Sequence, residues 1–257
     1  LFDNKKRTFH FEINKASIDK EHNLLNLRGK FKMENNSISD LDLNSNFNQN
    51  KKVSISIKSS NNNKITTFYS DLAKPFVKKF KFIKGFEDGQ IDFSSSKIGD
   101  ITNSNLKIYD FKLKELPSLT KILTLASLQG ISDLLKGEGV RFDEFEMIFT
   151  NKKNFMQIDE IYSIGPALSI MMDGYIQNDE LISLKGTLVP ATTINKFVAS
   201  IPVLGEILVG KKTGEGVFGV SFKIKGPPNN LKTTVNPIKT LTPRFITRTL
   251  EKIKKNN

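Results

Sequence analysis

The feature that most constrains this chain is a period-two alternation of apolar residues that restarts after each short polar break. Phe9, Phe11 and Ile13 alternate, as do Leu25 and Leu27, then Phe31 and Met33 beyond Gly29, Leu41 and Leu43, and Val53, Ile55 and Ile57. Side chains repeating every second residue line one face of a strand. The breaks, such as Asn35-Asn36-Ser37 and Ser59-Ser60-Asn61-Asn62-Asn63, are turn-forming. Strands that follow one another without crossover helices pair antiparallel. Residues 1–115 therefore predict a β-meander, with a short helical excursion over 71–80 and strands resuming at Ile91, Phe93, Leu106 and Ile108.

The texture changes at Leu116-Pro117. Residues 117–136 place Leu119, Ile122, Leu123, Leu125, Leu128, Ile131 and Leu135 at helical spacing, with Pro117 at the start, Gly137 at the end and Gly130 as the expected bend. Strands return through Val140 and Phe142, Leu168 and Ile170, and the segment 181–188. A second apolar helix is expected over 192–209, carrying Phe197 and Val198, with Pro202 as a break. Phe218, Val220, Phe222 and Ile224 form the clearest alternation, and a short basic helix is expected over 243–255. No composition break marks a linker, so 116–257 reads as continuous with 1–115. Neither apolar helix has the uninterrupted length needed to span a bilayer: Lys121 and Asp133 interrupt the first, Pro202 and Glu206 the second.

The chain lacks Cys and Trp and has two histidines, which removes thiolate chemistry and leaves little for metal or triad chemistry. His10 lies in an alternating strand and His22 in a polar turn. The string Gly205 to Thr213 approaches a phosphate-binding loop, but Lys212 stands where a hydroxyl is needed. An apolar helix also precedes these glycines, where a strand should. Asp143-Glu144 would point to opposite faces of a strand, and Asp179-Glu180 belongs to a hairpin turn. The residues suggest no enzyme, no cofactor and no metal site.

Lys and Arg number 39 against 27 Asp and Glu, a net charge of +12, which raises the question of a polyanionic partner. Only five of those cations are Arg, and the lysines are scattered over turns and polar strand faces, unlike a nucleic-acid module. No nucleic-acid partner is expected. The chain begins at Leu1 with no apolar signal segment, so it reads as a piece of a longer polypeptide or a processed product, with any export signal or anchor upstream.

The fold class is mainly β with a few amphipathic helices. Periodicity alone leaves two arrangements open: a long curved sheet with an apolar groove, or a sandwich whose two apolar faces meet.

Several segments carry a resemblance. They are SLTKILTLASLQGISDLLKGEGVRFDEFEMIFT (118–150), IGPALSIMMDGYIQ (164–177), GTLVPATTINKFVASIPVLGEILVGKKTGEGVFGVSFKIKGP (186–227) and VNPIKTLTPRFITRTL (235–250). In order, spacing and punctuation they resemble the C-terminal region of the AsmA-like family of bacterial envelope proteins, in its YhdP-like branch. Residues 70–93 resemble it less specifically, and 1–69 only as strands. Arg244 departs from the pattern, since relatives commonly carry Gly there. The resemblance implies a periplasmic, bridge-like phospholipid transporter anchored in the inner membrane by an upstream helix, with phospholipid, the inner and outer membranes and envelope proteins as its partners. It also implies the groove: a long curved antiparallel sheet, capped by helices near 117–136 and 192–209. Phe9, Phe11, Leu25, Leu27, Phe142, Leu168, Ile170, Phe218, Val220 and Phe222 would line it, and Ile122, Leu125, Phe197, Val198, Arg244, Arg248 and Lys252 would meet membrane. The rival functions are an envelope scaffold that binds proteins at a sheet edge, and a lipid-holding sink.

Overall fold

A computed structural model describes residues 6–34, 37–60, 62–77, 85–114, 116–178, 180–191, 219–238 and 241–256. Among the described residues thirteen antiparallel strands form one sheet in sequence order, and that sheet does not close on itself. They are β1 (Arg7–Ser17), β2 (Asn23–Glu34), β3 (Ser37–Asn46), β4 (Lys52–Ser60), β5 (Asn63–Ser70), β6 (Phe86–Ile98), β7 (Ile101–Leu113), β8 (Val140–Lys152), β9 (Phe155–Ile164), β10 (Leu168–Gln177), β11 (Leu181–Pro190), β12 (Gly219–Gly226) and β13 (Lys232–Ile238). The described α-helices are α1 (Lys74–Val77), α2 (Pro117–Leu125), α3 (Gln129–Lys136) and α4 (Pro243–Asn256), and a 3-10 turn spans Asn48–Asn50. The helix expected over 192–209 lies outside the described residues.

Antiparallel order separates the two ends of the sheet. At one, the hairpin end, strands are joined by short turns, with Asn62, Gly99, Lys153 and Asn178 at φ of 70°, 58°, 52° and 53°. All four described helices leave from the other, the loop end. Because β7 and β8 meet there through α2 and α3, the apolar helix pair is delivered to that end only.

The helix pair turns where a Schellman motif places it. Leu128 N–H donates to Leu123 O, Ser127 N–H to Thr124 O, and Ser127 has φ 58°. Those two bonds satisfy carbonyls that the end of α2 would otherwise leave open. The bend is thus at Ser127, while Gly130, where it was expected, sits inside α3. Leu119, Ile122, Leu123 and Leu135 are buried.

α2 is joined to β7 by a short connection yet lies against β13, six strands further along, while α3 lies against β8. The sheet therefore curves its apolar face around the pair. One core cluster joins Ile91, Ile108 and Phe111 on β6 and β7 to Val220, Phe222 and Ile224 on β12 through these helices.

Period two slips at four places, one of them on β3, where Ser39 is skipped between the partners of Lys32 and Met33. On β2, Asn26 at φ 51° marks an extra residue relative to β3. Both neighbours of β9 skip Asp159, so Ile158 and Ile161 share the apolar face and Glu160 points to the other. Near the loop end Asp88, Gly89 and Asp110 have φ of 60°, 82° and 51°. There Ile108 and Phe111, three positions apart, both enter the core. The result is a ladder in which Phe86 stacks on Phe111 and Phe111 on Phe142, each at 5.3 Å between ring centres.

Two cross-strand pairs show how aromatic rings fit the face. Phe11 lies opposite Gly29 and Phe222 opposite Gly186. A Cβ on Gly29 would stand 2.6 Å from the Phe11 ring, and one on Gly186 2.7 Å from that of Phe222. Each glycine leaves the space its partner ring occupies.

Candidate functional site

The site is the apolar face itself. Register partners share a face, so the pairings trace it continuously from Phe9, Phe11 and Ile13 on β1 to Val220, Phe222 and Ile224 on β12 and Val235 on β13. Its cover changes along the sheet. On β1, Phe9 is 41% and Ile13 42% exposed. Phe11, Leu25, Phe31, Leu41, Leu43, Ile55 and Ile57 are half-buried, and Leu27 and Val53 buried. From β10 to β12, under the helix pair, Leu168, Ile170, Leu188, Val220 and Phe222 are all buried.

Cover also changes along the strands. One row crossing β5 to β8 reads Phe68, Phe93, Leu106 and Met147, register partners that are half-buried in the middle of the sheet. A residue on a covered sheet face would be sealed; these retain access because the described helices sit at the loop end. The next row towards the hairpin end is Thr66, Ser95, Ser104 and Phe149, and the last is Lys64, Lys97, Thr102 and Asn151.

The loop end is closed by rings as well. His22 meets Phe47 edge to face at 6.4 Å, Phe47 meets Phe76 of α1 at 6.3 Å, and Phe76 meets Phe68 at 4.7 Å. The 18–22 loop is fixed beneath them: Asp19 accepts the backbone N–H groups of Glu21 and His22, each at 2.8 Å, and faces His22 Nδ1. Burial alone would raise the Asp19 pKa, but these hydrogen bonds and the imidazole outweigh it and hold the carboxyl below its ordinary value.

The opposite, polar face carries α4. Phe245 is buried against Val189 and Leu241, and its ring meets Tyr162 edge to face at 6.3 Å. Thr249 Oγ1 donates to Phe245 O at 2.9 Å, leaving its oxygen to accept from the Tyr162 hydroxyl at 3.3 Å. Arg248 Nε donates to Glu160 Oε1 at 2.8 Å and its Nη2 donates to Glu146. Arg244 also pairs with Glu160. Asn105 Nδ2 donates to Glu146 at 2.9 Å, and Lys107 Nζ lies 3.4 Å away. Burial works to raise the Glu146 pKa, but Asn105, Arg248 and Lys107 together hold it below the ordinary value. Burial works against the charge of Arg248, which the two glutamates more than restore. Tyr162 is pushed up mainly by burial.

These placements sort the residues expected from sequence. Phe9, Phe11, Leu25, Leu27, Phe142, Leu168, Ile170, Val220 and Phe222 all fall on the apolar side, but in two environments. Phe9, Phe11 and Leu25 remain open, whereas Leu27, Phe142, Leu168, Ile170, Val220 and Phe222 are packed and offer no free surface. Among the proposed membrane contacts, Leu125 is 53% exposed, but Ile122 is 3% exposed because it faces the sheet. Arg244 and Arg248 are drawn to the sheet by Glu160 and Glu146 instead of standing free. Lys252 lies on α4, and Phe197, Val198 and Phe218 lie outside the described residues. Sequence reading missed the Glu146 and Glu160 clamp; its only trace was acidic residues among the apolar ones of 142–161.

Among the described residues no group of three His, Asp or Glu could hold a metal, and no helix is long and apolar enough to cross a membrane. Comparison with protein-family models, characterised proteins and solved structures finds no match to this chain.

Proposed function

We propose that this chain is the C-terminal part of a periplasmic bridge-like lipid transport protein of the AsmA-like family, YhdP-like branch, carrying phospholipid between inner and outer membrane along a hydrophobic β-groove. The observation that carries the proposal is an unbroken apolar face across thirteen strands, open towards β1 and covered by α2 and α3 towards β12. Acyl chains need continuous nonpolar contact and no directional partner, and a sheet face of Phe, Leu, Ile and Met supplies it. The groove is accessible from β1, where Phe9 and Ile13 are exposed, and covered near β12, where Val220 and Phe222 are packed beneath the helix pair. Carrying lipid along such a face needs no reactive side chain, no catalysis and no cofactor.

The test is lipid content and transfer. Purified chain is expected to retain phospholipid on organic extraction and to speed lipid exchange between vesicles, and Phe31→Glu or Phe93→Glu is expected to abolish both. Absence of extractable lipid, or unchanged transfer by folded variants, overturns the proposal.

The second reading, a scaffold, rests on a different observation. β1 pairs with β2 alone among the described strands, and most of its residues are exposed, so its outer edge can accept another strand. A scaffold would lose its partner on Pro substitution within β1 and be indifferent to Phe93→Glu.

A further inference from the structure

Three turns at the hairpin end, β4–β5, β6–β7 and β8–β9, carry Lys58, Lys64, Lys97, Lys152 and Lys153 against one carboxylate, Asp100. Two of these lysines face the groove in register: Lys64 on β5 is the direct partner of Lys97 on β6. Like charges set opposite one another in adjacent strands are unfavourable. Lys64 Nζ turns away to donate to Ile38 O at 3.1 Å. Lys97, Asp100, Thr102, Asn151 and Lys153 line one shallow depression at this rim. No described carboxylate forms an ion pair with Lys97 or Lys153.

The rows behind this rim change polarity in a fixed order. From the hairpin end inward, each row about 7 Å from the last, the face runs from lysine with Thr102 and Asn151, through the hydroxyls of Thr66, Ser95 and Ser104 on β5 to β7 with Phe149 beside them on β8, to Phe68, Phe93, Leu106 and Met147. That order of cation, neutral hydrogen-bonding group and hydrocarbon matches the phosphate, glycerol ester and acyl chain of a phospholipid laid along the strands.

We infer that the rim formed by Lys97, Thr102, Asn151 and Lys153 binds the headgroup phosphate of a phospholipid whose acyl chains lie on the apolar rows behind it, and that it favours lipids of net negative charge. The inference rests on the lipid-carrying reading and adds to it where the headgroup sits and which class is preferred. Asp100 reduces the net positive charge of the rim without cancelling it, so zwitterionic lipid still enters while anionic lipid is selected.

The test incubates the chain with vesicles of equal phosphatidylglycerol and phosphatidylcholine, re-isolates it and measures both lipids by mass spectrometry. Wild type is expected to carry the anionic lipid in several-fold excess. K97E/K153E and the neutral K97Q/K153Q, both at exposed rim positions, are expected to bring the ratio close to one while still retaining lipid, with thermal melts matching wild type. An excess that persists in both variants, or equal uptake by wild type, overturns the headgroup site and leaves the groove standing. Uptake of neither lipid by wild type overturns both. Lysine-dependent capture of inorganic phosphate or of a single-stranded oligonucleotide, with no lipid preference, also overturns the headgroup site, assigning the rim to a free anion or a nucleic acid.

Discussion

Arg248 Nε lies 2.8 Å from Glu160 Oε1, joining positions 88 residues apart and fastening α4 to the polar face of the sheet. The glutamate is the buried partner, with its side chain 5% exposed against 28% for the arginine. Removing the cation would leave the Glu160 and Glu146 carboxylates short of compensation in a poorly solvated place.

Arg248→Ala is therefore expected to destabilise the chain by about 2 kcal/mol, below the range for a fully buried pair because the arginine is partly solvated. Urea unfolding should show a lower midpoint with an unchanged slope. Adding Glu146→Gln and Glu160→Gln should recover part of the loss; no recovery would mean the arginine acts through packing alone.

Acid stability follows from the same cluster. The Glu146 carboxyl is depressed below its ordinary value of 4.5 in the folded chain. A depressed carboxyl contributes stability that is present above the unfolded pKa and lost as pH falls through the folded pKa. The melting temperature should decline on acidification past that ordinary value, and Glu146→Gln should make the decline shallower. Identical pH profiles for the two proteins would remove Glu146 from the account.

Truncation of phenylalanine to alanine should separate the packed and open parts of the groove. Phe142, 2% exposed and stacked on Phe111, should lose about 3–4 kcal/mol on truncation to Ala. Phe9→Ala, at an exposed position on β1, should change stability by less than about 1 kcal/mol and show its effect in bound lipid. Equal destabilisation would mean that the β1 end is covered in solution.

Backbone geometry offers two opposite outcomes. Ser127, at φ 58°, occupies the position that glycine favours after a helix, so Ser127→Gly should raise stability by about 0.5–1 kcal/mol. Gly186→Val would drive a side chain into the Phe222 ring and the Met171 carbonyl, and should cost about 2 kcal/mol or more. Calorimetric melts of the two variants would check the signs.

Sequence periodicity determined much of this protein. Alternation at Phe9, Phe11 and Ile13, and again at Val220, Phe222 and Ile224, specified strands with one apolar face, because side-chain direction in a strand depends only on local backbone geometry. Proline at 117 and glycine at 137 bounded the helix pair for similarly local reasons. Three things were decided by tertiary structure. Left-handed residues at Asp88 and Asp110 and the extra residue in β9 moved Phe111 and Ile161 onto the apolar side, which no fixed period of two foresees. Phe142 and Phe9 carry the same side chain in the same kind of strand, yet one is sealed and the other open, because cover depends on where α2 and α3 land. Arg248 looked free on a basic helix until β8 and β9 brought Glu146 and Glu160 beneath it. Burial and charge pairing are properties of contacts between distant residues, and the curvature of the sheet sets those contacts.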